Sequence, residues 1–94
     1  MTAEHLLEQA ALVVRDRRRT YGQPRDLFEG VAIRWSQVLG ITVTPGEVIA
    51  CLIDLKVARL THHPRHLDSI IDIAGYAGCL AELLPMLEQQ SPRE

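Results

Sequence analysis

Two charged pairs at helical spacing offer the clearest chemistry in this chain. Lys56 and Arg59 lie three residues apart and Asp68 and Asp72 four apart, so each pair falls on one helix face, about a turn apart. A lysine and an arginine on an otherwise apolar helix need carboxylates, phosphates or solvent for their heads. The two aspartates continue into Gly75 and Cys79 on one stripe, with Tyr76 at its flank, which makes an acidic and sterically open groove. Such a groove suits a divalent cation, Mg²⁺ among them, because these ions want clustered oxygen ligands. It suits the two cations of the preceding helix equally well. Asp68 also fits the first turn of its helix, where an acid complements the dipole. Gly75 and Gly78 inside a helix cost roughly 1 kcal/mol each relative to alanine, so close helix packing or room for a ligand must offset them.

A second feature is basic. Between residues 15 and 34 there are six arginines against Asp16, Asp26 and Glu29, a local charge of +3. Arginine meets phosphate oxygens with a planar fork, so Arg17 is a candidate phosphate contact, and Tyr21 could stack on a base. The same cations could instead complement a helix C-terminus and stay solvated. His62, His63 and His66 surround Pro64, but a zinc site would need a further placed ligand, so loop or phosphate contacts are the expectation. No nucleophile elbow, phosphate-cradling glycine loop or Cys-His signature is present.

The elements that must position these groups are helical. Helix one is expected from Ala3 to about Arg18 with Thr2 as N-cap and a stripe of Leu6, Leu7, Ala10, Ala11, Val13 and Val14. Residues 20–24 break the pattern around Gly22. Helix two should start at Pro24 and stop near Leu39, with Gly40 as a left-handed end. Only residues 40–44 look extended. Thr44-Pro45-Gly46-Glu47 reads as a capping box, opening a helix that runs to about Leu60 and is apolar on most sides. That helix should be central or lie in a subunit interface. The last helix is expected from about His66 to Glu88, bent or ended near Pro85, with residues 89–94 as a frayed tail.

The 94 residues allow one domain, placed at residues 1–88. The architecture expected is all-α, a small four-helix bundle, with Trp35 in the core or an interface. A composition 47% hydrophobic and 23% charged excludes disorder over most of the chain. No apolar run reaches the length of a membrane span, and the first residues lack a signal-peptide pattern. Cys51 and Cys79 are too few for a disulfide framework and sit in apolar helical patterns, so reduced core thiols and a cytoplasmic location are expected. A net charge of −2 exerts no pull toward nucleic acid, and no DNA-reading motif is present.

Tyr21-Gly22, then Trp35, then Lys56-Val57-Ala58-Arg59, then Asp68-Ser69-Ile70-Ile71-Asp72-Ile73-Ala74-Gly75-Tyr76 resembles a family of small tailed-phage and prophage proteins of unknown function. The likeness covers nearly the whole chain. The same ending resembles, more loosely, the phage nucleotide modification associated domain and, more distantly, the MazG-like all-α nucleotide pyrophosphohydrolases. The resemblance implies that Lys56, Arg59, Asp68, Asp72 and Tyr76 belong to a nucleotide-phosphate site, and it implies a homo-oligomer. The MazG-like enzymes hold Mg²⁺ with a Glu-x-x-Glu pair and a Glu-x-x-Asp pair. Here the third helix has Glu47 and Asp54, about 10 Å apart along the axis, so half of that cage is missing.

Three functions follow as expectations. The leading one is a nucleotide binder without turnover, in which Lys56, Arg59 and Arg17 meet phosphates, Tyr21 or Tyr76 meets a base and Asp72 orients the cations. In a phage it would sequester a nucleotide signal of host immunity or mark a nucleotide for modification. The second is a divalent-dependent phosphohydrolase, with Asp68 and Asp72 joined by Glu47 or Asp54 as metal ligands. The third is a helical module that binds another protein through an exposed apolar patch.

Overall fold

The computed structural model describes residues 1–85, and the expected tail lies outside them. Four helices follow one another: α1 (Ala3–Tyr21), α2 (Pro24–Leu39), α3 (Pro45–His62) and α4 (Leu67–Glu82). The all-α four-helix expectation holds.

Their ends follow from local chemistry. The Thr2 hydroxyl accepts from the His5 amide and starts α1. That helix continues three residues past Arg18, because Gly22, at φ 85°, closes it by donating its amide to the Arg18 carbonyl. Gly40 ends α2 in the left-handed region, as its position suggests. Residues after it do not pair as a strand. The Ser36 hydroxyl instead accepts from the Val43 amide at 2.8 Å and donates to the Ala32 carbonyl at 2.7 Å, tying the extended stretch to the helix it has just left. The capping box forms in full: the Glu47 amide donates to Thr44 Oγ1 at 3.2 Å, and the Thr44 amide donates to Glu47 Oε1 at 2.9 Å. Helix α4 breaks at Leu83, beside the bend or end expected near Pro85, and the expected run on to Glu88 lies outside the described residues. Pro85 has no amide hydrogen for the Ala81 carbonyl, the Leu83 amide turns back to Leu80, and helical backbone resumes at Leu84 and Pro85.

Phe28, Ala32, Val48, Ile49 and Leu83 are buried together, with Leu27, Val31, Trp35, Leu52 and Tyr76 packed around them. Helix α3 packs mainly on α4 and α2, and α1 rests mainly on α4. Contact between α1 and α2 is slight. That uneven packing leaves an opening bounded by all four helices.

Helix α3 is central on one side only. Leu55 is 53% exposed and Val57 48% exposed, and Cys51 is exposed rather than a core thiol. The side chains facing α2 and α4 come from the Val48, Ile49 and Leu52 stripe, which leaves the opposite face uncovered.

Candidate functional site

The opening is a pocket of about 310 Å³. Leu27, Phe28 and Val31 of α2, Val13 and Val14 of α1 and Leu52 of α3 give it apolar walls. Its polar lining comes from Arg17, Arg18 and Tyr21 of α1 and from Asp72 and Tyr76 of α4. Four candidate residues from the two ends of the sequence pattern, Arg17 and Tyr21 of α1 and Asp72 and Tyr76 of α4, thus meet around one cavity.

Lys56 joins them indirectly. Its Nζ lies 2.8 Å from Asp72 Oδ2, with side chains only 15% and 18% exposed. Lys56 does not line the pocket, so it holds the carboxylate from outside while Asp72 borders the cavity. Of the two readings of the acidic stripe, pairing with a cation of the preceding helix is the one realised for Asp72. Arg59 and Asp68 do not join: both are exposed and neither borders the cavity. Asp68 sits in the first turn of α4, where it complements the helix dipole. Glu47 is spent in the capping box, and Asp54 is exposed. Among the described residues no three His, Cys, Asp or Glu side chains gather where they could share a metal ion. The carboxylates expected to form a cage are thus dispersed along α3 and α4.

The basic block divides by role. Arg18 forms a two-pronged pair with Glu82, Nη1 to Oε1 at 3.2 Å and Nη2 to Oε2 at 2.6 Å, and also donates to Gln23 Oε1. The hydrogen bond to Glu82 is the main reason its pKa lies above the usual arginine value. Arg25 pairs with Glu29 one turn on. Arg17, one residue before Arg18, is exposed at the pocket edge and has no ion pair among the described residues. It is therefore the lining cation with its donors unspent.

Helices α1 and α4 register through small residues. A Cβ on Gly75 would stand 3.4 Å from Val14 Cγ2, an ordinary van der Waals contact, so Gly75 admits the close approach of α1. Gly78 meets nothing within 4 Å; it opens instead onto a shallow second groove beside Leu7, Ala11 and Arg15. Val14 against Gly75 and Arg18 against Glu82 place successive turns of α1 along α4 in the same chain direction. Asp72, a turn before Gly75, and Arg17, a turn after Val14, therefore border different stretches of the pocket.

Phe28 lines the cavity without having been anticipated there, whereas Cys79 does so on the stripe it shares with Asp72 and Gly75. The Phe28 ring stands edge-on to Tyr76, centroids 6.5 Å apart and planes at 72°, which fixes the Tyr76 wall. Burial pushes the Cys79 thiol above its ordinary pKa, Glu82 adds to this and Arg18 opposes it. Phe28 carried only a core signal, and nothing local links Cys79 to Arg18. The His66 ring nitrogen Nδ1 and Ser69 Oγ lie 2.7 Å apart, which accounts for the fully buried Ser69 hydroxyl and leaves His66 as the N-cap residue of α4.

A family model described as "Domain of unknown function (DUF6378)" matches residues 5–84, which include every residue of the pocket. The chain belongs to the DUF6378 family. The chain is similar to the "Gene 55 protein" of Mycobacterium phage D29, 32% identical over 93 residues that cover 98% of this chain and 62% of that protein. It is also similar to the "Gene 55 protein" of Mycobacterium phage L5, 33% identical over 78 residues covering 82% of this chain and 50% of that one. The chain thus spans between half and two thirds of the length of these phage relatives. The expected likeness to a phage family of unknown function is met at this level. No solved structure matches the DUF6378 chain.

Proposed function

We propose that this DUF6378 protein binds a nucleotide, or a molecule derived from one, and holds it without turnover. The observation that carries this reading is the 310 Å³ cavity that combines aromatic and aliphatic walls, one lysine-held carboxylate and one arginine with unspent donors. That size lies at the low end for small-molecule sites, about 300–1,000 Å³, and suits a base with its sugar rather than a whole triphosphate. The base packs against Tyr76 and the α2 side chains, and the phosphates lie at the edge beside Arg17 and Tyr21. Relative to the sequence expectation, Arg59 leaves the phosphate set and Lys56 acts through Asp72.

Binding is favoured over hydrolysis because the Asp72 carboxylate is already matched by the Lys56 ammonium and Asp68 lies away from the cavity. The distant MazG-like resemblance then concerns the ligand class rather than the metal cage. In a phage setting, such a binder would sequester a nucleotide signal or present a nucleotide for modification. The exposed apolar face of α3 supports self-association, and no described helix is long and apolar enough to cross a membrane.

Incubation with a panel of nucleoside phosphates and cyclic oligonucleotides plus Mg²⁺, followed by ultrafiltration and mass spectrometry, tests this directly. An intact compound retained by the protein is the expected result. New products in the filtrate would make it an enzyme, and a panel that passes through unbound and unchanged would transfer the role to a protein partner. Arg17→Ala should weaken retention about tenfold, the loss of one charge-assisted phosphate contact, without moving the melting temperature. Arg59→Ala should leave retention unchanged.

A further inference from the structure

The carboxylate in the pocket carries information about the base. Among the described residues Asp72 is the single acidic side chain on a cavity otherwise walled by apolar and aromatic groups and edged by Arg17, Arg18 and Tyr21. Its Oδ2 accepts from Lys56 at 2.8 Å, an anchor that comes from outside the cavity and fixes the orientation of the group. Oδ1 and the second lone pair of Oδ2 are left to accept hydrogen bonds. A ligand seated there must present donors to that carboxylate, since an acceptor placed against it would be repelled and both groups would lose water without replacement.

Resting on the nucleotide reading, we infer that Asp72 selects guanine, by accepting from N1–H and the N2 amine side by side. Among the common bases this is the one with two adjacent donors on its Watson–Crick edge. Adenine and cytosine set an acceptor nitrogen beside their amine, and uracil flanks its single N–H with two carbonyls. The register of α1 on α4 agrees with the arrangement. Asp72 and Arg17 border different stretches of the pocket, so one ligand can place its base edge on Asp72 and its phosphate beside Arg17. Tyr76, one turn after Asp72 and held edge-on by Phe28, supplies the adjacent wall.

The test is calorimetric titration of the full chain with the 5′-monophosphates of guanosine, inosine, xanthosine, adenosine, cytidine and uridine. Guanosine should bind about ten- to a hundredfold more tightly than inosine, which lacks only the N2 amine, because that donor faces a charged acceptor. Asp72→Asn should reverse the order of guanosine and xanthosine, since an amide donates to the xanthine C2 carbonyl and repels the N2 amine. Circular dichroism of that variant, compared with the parent, separates a changed preference from a lost fold. The guanosine-to-inosine ratio is read on the unaltered protein and stands even if the variant unfolds. Equal affinity for all six compounds would overturn the guanine assignment and leave nucleotide binding intact. Failure of all six to bind would overturn the guanine assignment, and failure of the wider nucleotide panel as well would overturn nucleotide binding.

Discussion

At the residue scale, the Lys56–Asp72 pair is at once a structural element and a boundary of the pocket. Both side chains are largely removed from water, so the attraction is only partly screened, and removing one partner strands the other. Lys56→Ala should therefore destabilise the fold by about 1–3 kcal/mol in urea titrations, more than the 0–1 kcal/mol of an exposed pair such as Arg25–Glu29. Replacing both residues by alanine should cost less than the sum of the single changes, and additive losses would show that the pair is not coupled. Cys79 gives a pH signature. Burial raises its folded pKa above the ordinary 9.0, so the neutral thiol is the form that the fold favours. Its contribution to stability is complete below the unfolded value and fades as pH rises toward the folded one. A chemical-denaturation series above pH 9 should therefore show a decline that Cys79→Ala reduces, and at pH 8 Cys51 should react with a thiol reagent well before Cys79.

At the element scale, helix ends and helix glycines make separable contributions. The complete capping box at the start of α3 is worth about 1 kcal/mol, which Thr44→Ala should remove, as read by the midpoint of urea unfolding. Gly78→Ala should act in the opposite direction. The site is helical and nothing lies within 4 Å of the added carbon, so stability should rise by roughly 0.5–1 kcal/mol through helix propensity. Gly75→Ala should gain a similar amount, because its new methyl meets Val14 Cγ2 at 3.4 Å, an ordinary van der Waals contact. A loss of stability at Gly75 would mean that α1 approaches α4 more closely than this contact indicates.

At the scale of the whole molecule, the packing is uneven. Apolar side chains are shared between a small core and an uncovered surface that includes Leu55 and Val57 of α3 and Ile33, Val38 and Ile41 at and after α2. Such a surface is characteristic of a chain that associates. Sedimentation equilibrium should show a dimer or larger species at micromolar concentration, and Leu55→Glu should shift it toward monomer with the helical content retained. A parent protein that sediments as a monomer at all concentrations would remove self-association and favour a different partner for that face.

How much of this was legible in the chain differs by the range of the interaction. The helix starts at Thr2, Pro24 and Thr44 and the stop at Gly40 are local chemistry, decided within a few residues by capping hydroxyls, proline and glycine, and all four appear where the pattern put them. The break in α4 at Leu83 falls beside Pro85, where the pattern allowed a bend or an end, because a proline withdraws an amide from the helix. Lys56 and Asp72 could be placed on complementary faces from their spacing alone, but so could Arg59 and Asp68, which remain in solvent. What separated them was the crossing of α3 with α4. Likewise Arg17 and Arg18 are neighbours in a uniform basic run; only the approach of Glu82, 64 residues away, occupies one and leaves the other at the pocket edge. The sequence by itself determined four helices, their caps and a short set of polar candidates, because hydrogen bonds at helix ends and apolar periodicity act within a turn or two. Which candidates share a cavity was decided only by tertiary structure, since helix packing joins side chains far apart in the chain and sets which charges leave water together.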